Sequence, residues 1–380
     1  MVSRECILAT KTIKLYGVDR QYQNLKREVL DITDQVLSTG QLLDGANTSL
    51  FEITMANRLN RSYAVAVNSA TTGLLFALNS FIAGKKPGLL IPAVSYIATM
   101  NAAILSKYAD IHICDVDTSG LIDLGRANHA MGAEIKTVMY ANLFGNTVDW
   151  DRFQIMTQFF GSDRVGVVED AAQSFGASFN GVPSGKMGDV SVLSFDPTKN
   201  LNNFGSGGMI LTDDIEIYEV VKNLRDNGKH TGHEIAGINS KMSELDCAIM
   251  TMKLKKHFDK WQARRTEIAD YYTRELQEYV EVPTATPGTV HAWSKYVIRV
   301  PNRIQLKKHL DYNDIESKMT YTRTLYEEFV GRAYAPVALT GDDGWECHRF
   351  TRECLSLPIY PELYDSEVER IVKTIREYFH

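Results

Sequence analysis

Short apolar segments alternate with helical stretches between residues 62 and 212, and this alternation restricts the chain to a small set of folds. Several segments are apolar throughout, which is typical of strands covered on both faces. The pattern predicts an α/β fold with an open, mostly parallel central sheet flanked by helices. The segments with strand composition are residues 63–67, 88–92, 111–114, 137–141, 165–168, 190–195 and 209–212.

Helical periodicity marks both sides of this region. Residues 20–38 carry apolar side chains at three- and four-residue spacing, and Gly40 is expected to end that helix. Residues 243–280 have strongly helical composition and are expected to lead out of the sheet domain. We therefore predict a large α/β domain over residues 20–254.

The character of the chain changes after Pro283. Residues 290–300 and 355–357 have strand composition, and residues 366–379 predict a terminal helix with a capping box from Ser366 to Glu369. These elements predict a smaller C-terminal α+β domain over residues 255–380. The N-terminal residues 1–19 are a candidate addition to this domain.

Composition excludes several classes of protein. The net charge of -6 disfavours general attraction to nucleic acid or to an anionic membrane. No window approaches the roughly 18 continuous apolar residues of a membrane-spanning helix, and the N-terminal stretch lacks a signal-peptide core. Five cysteines without a Cys-x-x-Cys pair favour reduced thiols over disulfides or a zinc site. We expect a soluble cytoplasmic protein.

The first candidate for chemistry is the turn after the strand 63–67. Small and hydroxyl residues there, including Ser69, Ala70, Thr71 and Thr72, open a helix. Free backbone N–H groups at a positive helix end bind phosphate well. A capped helix without a ligand is the alternative, because such caps are common.

The second candidate is Asp170, which follows a strand without charged residues. Burial of a carboxylate is costly unless it meets a cation, and a protonated pyridine nitrogen is such a cation. A protonated ring nitrogen lets the ring withdraw electrons from a substrate carbanion. A simple helix-capping aspartate is the alternative.

The third candidate is Lys199, in a loop with Pro197 and several glycines between two strands. Desolvation in such a loop would lower the pKa of the amine and favour the free base that forms a Schiff base. Ser194 could donate its hydroxyl to a phosphate. The alternative is a solvated surface lysine, as most loop lysines are.

Together, the phosphate-type turn, the carboxylate and the lysine occur in the order expected of pyridoxal-5′-phosphate (PLP) enzymes. Over nearly its whole length the chain resembles the DegT/DnrJ/EryC1/StrS sugar aminotransferase family. Glu169-Asp-Ala-Ala-Gln-Ser and Ser194-Phe-Asp-Pro-Thr-Lys-Asn-Leu are its most specific motifs. Further segments that carry the resemblance are residues 19–25, 92–99, 237–245, 291–300 and 355–363.

The resemblance implies the PLP-dependent transferase fold of type I and a role for each matching residue. Lys199 would hold the cofactor as a Schiff base and transfer the proton, and Asp170 would pair with the pyridine nitrogen. Gln173 would lie near the phenolic oxygen, and Tyr96 would stack on the ring. The implied phosphate site consists of Ala70, Thr71, Thr72, Ser194 and Asn239 of the other subunit, and it thereby implies a homodimer.

The implied reaction has two steps. An amino-acid donor, glutamate by expectation, converts PLP to pyridoxamine phosphate, which then aminates a keto-sugar linked to a nucleotide. Arg225, Lys229 and His230 are candidates for contacts to the substrate diphosphate because they are cationic. No metal is expected, because His230 and His233 lie in a flexible glycine loop without further ligands.

Four positions depart from the family pattern. Ala70 stands where glycine is common, Asn142 replaces a histidine, and Asn227 stands where a histidine or aromatic residue is frequent. The His-Tyr-Pro segment of the family is not recognisable in residues 319–324. Two alternatives stay open. A PLP-dependent sugar dehydratase of the family would carry histidine at position 199, and a catalytically silent regulatory protein would keep only the fold.

Overall fold

The computed structural model describes residues 12–81, 88–108, 110–130, 135–158, 165–334, 337–340 and 345–380. Its helices are α1 (Val18–Thr39), α2 (Ala46–Arg58), α3 (Ala70–Ser80), α4 (Ile97–Leu105), α5 (Leu124–Ala130), α6 (Trp150–Gln158), α7 (Ile215–Arg225), α8 (Glu244–Lys256), α9 (Phe258–Leu276), α10 (Arg303–Tyr312), α11 (Phe329–Tyr334), α12 (Glu346–Glu353) and α13 (Asp365–Phe379). Its strands are β1 (Tyr63–Val67), β2 (Gly88–Pro92), β3 (Ile111–Cys114), β4 (Ile135–Ala141), β5 (Gly166–Asp170), β6 (Ser178–Phe179), β7 (Val182–Pro183), β8 (Val190–Ser194), β9 (Gly208–Thr212), β10 (Thr289–Val290), β11 (Tyr296–Arg299), β12 (Val337–Thr340) and β13 (Cys354–Leu357).

The central sheet has the strand order β1-β9-β8-β5-β4-β2-β3-β12. Strand β9 runs antiparallel to both of its neighbours, and the pairs from β8 to β12 are parallel. Strands β2, β8 and β9 are buried along their whole length, as the continuous apolar runs predicted. The expected α/β fold with a mostly parallel sheet is confirmed.

Strand β12 joins this sheet although it lies far along the chain from the other strands. Val337 pairs with Ile111, and the two strands run parallel. The sequence analysis missed this strand because four residues carry too little periodicity to show a strand. Only its long-range partner, β3, identifies it.

The helical region 243–280 is two helices instead of one. It breaks at His257, where φ is -125° and ψ is -33°, so α8 and α9 take different directions. Helix α8 packs on α1 and α2, whereas α9 packs on α13. Composition alone shows helix propensity but not this change of packing partner. Helix α1, by contrast, is confirmed and ends before Gly40, which has a left-handed φ of 70°.

A second apolar cluster surrounds the antiparallel pair β11 and β13. The cluster includes side chains from α9, α10 and α13, and the buried side chain of Ile13 also belongs to it. The backbone N–H of Ile13 donates to the carbonyl of Asp314 at 2.8 Å. The predicted strand 290–300 was too long, since β11 covers only its second half and a loop precedes it. The division of the chain at residue 254 stays a prediction.

The predicted capping box of the terminal helix was wrong. Helix α13 begins at Asp365, so Ser366 already lies inside it. The side chain of Glu367 accepts the backbone N–H of Tyr364 at 3.0 Å and satisfies the helix start two residues earlier than expected. Ser366 was chosen because serine caps are common, but the chain enters the helix two residues earlier.

The cysteines of the described residues are reduced. Cys114, Cys247, Cys347 and Cys354 are buried free thiols, and Cys6 lies outside the described part of the chain. Within the same part of the chain, no helix combines the length and the apolar character needed to cross a membrane.

Candidate active site

The predicted turn, carboxylate and lysine meet at one edge of the central sheet. Asp170 is the last residue of β5 and Ser194 the last residue of β8, and β1 ends at Val67 in the same direction as β8. Ligands of open α/β sheets bind at this carboxyl edge. The topology therefore brings the three sequence candidates to this edge of the sheet, and the region beside them is the candidate cleft.

The candidate phosphate turn lies at the beginning of α3. Ser69 caps the helix, with its hydroxyl accepting the backbone N–H of Thr72 at 3.2 Å and contacting the Thr72 hydroxyl at 3.0 Å. The N–H groups of the first helical turn have no partner inside a helix and suit an anion. Ala70 is helical and has no positive φ, so alanine in place of glycine strains nothing here.

The backbone of β9 supports this turn from below. Gly208 pairs with Ser194 across the sheet, and a Cβ added at Gly208 would lie 2.7 Å from the backbone nitrogen of Ala70. The same Cβ would lie 2.7 Å from the carbonyl carbon of Ser69. Position 208 therefore accepts only glycine if the turn is to keep its place.

Replacement of Gly208 by alanine should displace the turn and weaken PLP binding by about tenfold or more, with a stability loss of about 1–3 kcal/mol. Fluorescence titration of the apoprotein with PLP and thermal unfolding measure these two effects. Gly205→Ala is the matched control, because a Cβ there meets only the Asn203 side chain at 3.7 Å. Equal PLP affinity in both variants would contradict the role of β9 in supporting the turn.

Asp170 is only 6% exposed and is held by two hydrogen bonds. Its Oδ1 accepts the backbone N–H of Ala172 at 3.1 Å, and its Oδ2 accepts the hydroxyl of Thr99 at 3.2 Å. Burial raises the pKa of the Asp170 carboxyl, and the hydrogen bond from Ala172 and the charge of Lys199 oppose that rise. A buried, oriented carboxylate of this kind is suited to a cationic ring nitrogen.

Lys199 lies half-buried in the loop after β8. Burial lowers the pKa of its ammonium, while the carboxylates of Asp170 and Asp196 act in the opposite direction. Its backbone N–H donates to the carbonyl of Asp196 at 2.9 Å, which fixes the loop. Lys199 and Asp170 thus lie close enough for the charge of each to act on the pKa of the other.

Gln173 connects two parts of the cleft. Its Oε1 accepts the backbone N–H of Phe144 at 3.3 Å, and its Nε2 donates to the hydroxyl of Tyr321 at 2.7 Å. Tyr96 lies at the start of α4 with 56% of its surface exposed, and its charge is among those acting on Tyr321. An exposed aromatic side chain in this position suits stacking on a ring.

Tyr321 is a residue that the sequence analysis missed. It belongs to residues 319–324, where the His-Tyr-Pro segment was not recognised, and its hydroxyl nevertheless contacts Gln173. Burial raises the pKa of this hydroxyl well above its usual range, so Tyr321 stays protonated while its oxygen accepts the hydrogen bond from Gln173. Threonine residues on both sides, in place of histidine and proline, concealed the motif.

Two of the departures from the family pattern have structural explanations. Asn142 points into the core, where its Nδ2 donates to Glu169 at 2.9 Å and its Oδ1 accepts from the backbone of Val148 at 2.9 Å. Asn227 is exposed and adopts a left-handed φ of 56°, which asparagine tolerates well. The side chain of Asn142 is thus occupied by contacts inside the core, whereas that of Asn227 is exposed to solvent.

The three candidate substrate residues differ in their surroundings. Arg225 is buried and donates to Glu52 at 2.8 Å and to the carbonyl of Ala66 at 3.2 Å. A second carboxylate, Asp44, lies 3.4 Å from it. Lys229 and His230 are exposed in a 3-10 turn between Gly228 and Gly232. Arg225 is therefore already paired with carboxylates of its own chain, whereas Lys229 and His230 are open to a ligand.

Asn239 is also exposed, and its loop lies beside the phosphate turn of its own chain. The backbone N–H of Asn68 donates to the carbonyl of Ser240 at 2.6 Å. The contact of Asn239 with the cofactor of another subunit stays a prediction. Among the described residues, no three His, Cys, Asp or Glu side chains converge as a metal site would require.

The residues present fit pyridoxal phosphate. A helix start with hydroxyl groups suits the phosphate, the buried Asp170 suits the ring nitrogen, and the amine of Lys199 suits the aldehyde. Among the described residues, none accepts a hydrogen bond from the side chain of Lys199, so its amine is available for a ligand.

Comparison with known proteins identifies the family. The sequence profile of the DegT/DnrJ/EryC1/StrS aminotransferase family matches residues 23–376. The chain belongs to this family. The family, the fold, the aminotransferase class and the dependence on pyridoxal phosphate expected from the sequence are thereby confirmed.

Relatives within the DegT/DnrJ/EryC1/StrS family match the chain almost end to end. A "pleiotropic regulatory protein" of Geobacillus stearothermophilus is 28% identical, with 97% of this chain and 98% of that protein covered. The dTDP-3-amino-3,4,6-trideoxy-alpha-D-glucose transaminase of Streptomyces venezuelae is also 28% identical, with 97% of each covered. The crystal structure of S. venezuelae DesV with a ketimine intermediate superposes with a TM-score of 0.90, at 28% identity and with 97% and 99% of the chains covered.

Proposed function

We propose that the protein transfers the amino group of an amino acid, glutamate by preference, to a keto-sugar linked to a nucleotide. The observation that carries the proposal is the electrostatic coupling of Lys199 with the buried Asp170, which ends a strand at the carboxyl edge of the sheet. The related Streptomyces venezuelae transaminase bears a dTDP-sugar name, which supports a nucleotide-sugar as acceptor.

The residues of the cleft divide the work of the reaction. Pyridoxal phosphate, when bound, supplies a ring that withdraws electrons from the carbon carrying the amino group. Asp170 would keep the ring nitrogen protonated, and the Ser69–Thr72 turn together with Ser194 would hold the phosphate. Gln173 and Tyr321, which are joined by a hydrogen bond, would orient the ring hydroxyl. The Nζ of Lys199 would accept the proton from the α-carbon of the amino-acid donor, and in the second half-reaction it would deliver a proton to the sugar carbon that receives the amino group.

A colour assay tests the proposal directly. The purified protein with PLP should be yellow, lose its colour with L-glutamate, and regain it with the matching keto-sugar nucleotide. A panel of dTDP-, UDP- and GDP-linked 3- and 4-keto-sugars identifies the acceptor and the position of amination. A protein that takes up no PLP would contradict the enzymatic function, and recovery of colour without any amino-sugar product would contradict the sugar acceptor.

Lys229 and His230 are proposed to contact the diphosphate of the nucleotide. Replacement of both by alanine should raise the KM for the nucleotide-sugar by about tenfold or more with little change in KM for glutamate, because only the sugar carries a diphosphate. Steady-state kinetics with each substrate varied measure the difference. Lys260→Ala, on the exposed face of α9, is the control. An unchanged KM for the sugar in the double variant would remove both residues from the substrate site.

We further propose a homodimer in which the active sites are shared. Exposed apolar side chains surround the Asn239 loop and the start of α2, which supports a covered surface there, and they are Leu42, Leu43, Leu50, Ile53 and Ile238. Light scattering should give twice the chain mass of 42.7 kDa. A monomer with full activity would contradict the sharing of Asn239.

The alternatives receive less support. A sugar dehydratase would need histidine at position 199, and this chain has lysine there. The regulatory name of the Geobacillus relative comes at the same identity as the transaminase, so identity does not separate the two functions. The full set of Lys199, Asp170 and Gln173 in the cleft supports catalysis.

A further inference from the structure

Lys295 is a second lysine of the cleft, and the proposed reaction has no use for it so far. It is 8% exposed and lies in the loop that precedes β11. Among the described residues, none pairs with its ammonium by a hydrogen bond or an ion pair. A buried cation without a partner is costly, so a lysine in this position requires an anion from elsewhere.

Backbone contacts fix the loop of Lys295 between the two halves of the catalytic site. The N–H of Lys295 donates to the carbonyl of Phe144 at 3.2 Å, and the N–H of Phe144 in turn donates to Gln173 at 3.3 Å. On the other side, the side chain of Asn200, next to Lys199, donates to the carbonyl of Ala292 at 2.6 Å. The loop is therefore attached both to the Lys199 segment and to the Gln173 segment.

Gly145 allows the backbone of the Lys295 loop to approach closely. A Cβ added at Gly145 would lie 2.5 Å from the backbone nitrogen of Trp293 and 2.9 Å from that of Ser294. The N–H of Ala292 also donates to the carbonyl of Gly145 at 2.8 Å. Lys295 is thus positioned by main-chain contacts on both sides of its loop, as a binding residue needs to be.

The charges around Lys295 are mainly positive. Burial lowers the pKa of its ammonium well below the usual range, and the charges of Lys199, Lys318 and Arg265 lower it further. The carboxylate of Asp196 acts in the opposite direction. Arg265 is itself buried and donates to the carbonyl of Ile359 at 2.6 Å. This excess of positive charge attracts an anionic ligand.

We propose that Lys295 is a carboxylate-binding residue, which holds the carboxylate of the substrate whose carbon reacts beside Lys199. This inference rests on the proposed transamination, in which such a substrate enters the cleft. The carboxylate has two chemical sources. It belongs either to the amino-acid donor or to an acidic sugar of the uronate class.

A binding experiment tests the subsite without turnover. The holoenzyme is titrated with α-methyl-L-glutamate, which has no α-proton to lose, and the change in the cofactor spectrum is followed. The pyridoxamine form is titrated with UDP-glucuronate and with UDP-glucose by calorimetry. The variants are Lys295→Met and Lys295→Gln, of which the second keeps a polar side chain in case the first does not fold. Lys307→Met, on the surface of α10, is the control.

Loss of one charge-assisted contact should raise the dissociation constant of the ligand whose carboxylate Lys295 binds by about 10- to 100-fold. If the donor supplies the carboxylate, the Lys295 variants bind α-methyl-L-glutamate more weakly, and their affinities for the two UDP-sugars are unchanged. If the sugar supplies the carboxylate, the variants lose affinity for UDP-glucuronate but not for UDP-glucose. Affinities within about twofold of wild type for all three ligands would overturn the proposal. A loss of PLP affinity alone would also overturn it, since Lys295 would then serve the cofactor phosphate.

The design separates failure of this inference from failure of the proposed function. If the wild-type holoenzyme binds α-methyl-L-glutamate but does not lose its colour with L-glutamate, transamination fails while the subsite is still measured. If equal concentrations of L-glutamate remove the colour in the wild type and in the Lys295 variants, transamination stands. Lys295 then does not bind the carboxylate of the amino-acid donor.

Discussion

Replacement of Lys199 by alanine should lower the rate of both half-reactions by about 10³-fold or more. The variant loses the covalent attachment of the cofactor and the Nζ that moves the proton, and acid–base catalysis alone contributes roughly 10²- to 10⁴-fold. Stopped-flow measurement of colour loss with L-glutamate gives the first half-reaction. Colour recovery with 2-oxoglutarate gives the reverse of that step.

Two controls separate chemistry from folding. Lys199→Arg keeps the positive charge opposite Asp170 but supplies no free amine, so it should be as slow as the alanine variant. Added ethylamine should restore part of the rate to Lys199→Ala, because a small amine fits the space left by the side chain. If Lys199→Ala retained a borohydride-reducible link to the cofactor, detectable by mass spectrometry, another lysine would be the attachment site.

Replacement of Asp170 by asparagine should lower the rate of colour loss with L-glutamate by about 10³-fold, with a smaller effect on PLP affinity. Asparagine keeps the shape and still accepts the N–H of Ala172, but it carries no charge to keep a ring nitrogen protonated. The same stopped-flow assay measures the rate, and a fluorescence titration measures the affinity.

A cofactor analogue makes this test specific. N-methylated PLP carries a permanent positive charge at the ring nitrogen, so it should narrow the difference between Asp170→Asn and the wild type. Thr99→Val, which removes one hydrogen bond to the carboxylate, should have a much smaller effect than Asp170→Asn. A rate for Asp170→Asn within tenfold of wild type would show that the carboxylate does not control the protonation of the ring nitrogen.

Much of the site was predictable because its parts lie directly after strands. The strands before Ser69, Asp170 and Lys199 have apolar sequences that stand out without knowledge of the fold. Parallel strands end at the same edge of a sheet, so residues after the strands are neighbours by topology. For these residues, local sequence and fold class together were enough.

Other features escaped because they depend on contacts between distant segments. Tyr321 reaches Gln173 across 148 positions of the chain, and no local pattern marks it. Arg225 looked like a free cation in the sequence, yet Glu52 lies 2.8 Å from it in the fold. Glycine at position 208 is required by the backbone of Ser69 and Ala70, which lie on a different element.

By itself, the sequence predicted most strands and helices, the cofactor and the candidate residues Lys199 and Asp170, because hydrophobic periodicity and short motifs are local properties. Tertiary structure alone decided which charges remain unpaired in the cleft. Lys295 and Arg225 are both buried cationic residues, but of the two only Arg225 forms ion pairs with carboxylates of the described residues. Charge pairing is a property of spatial neighbours, and distant parts of the chain become neighbours only in the folded protein.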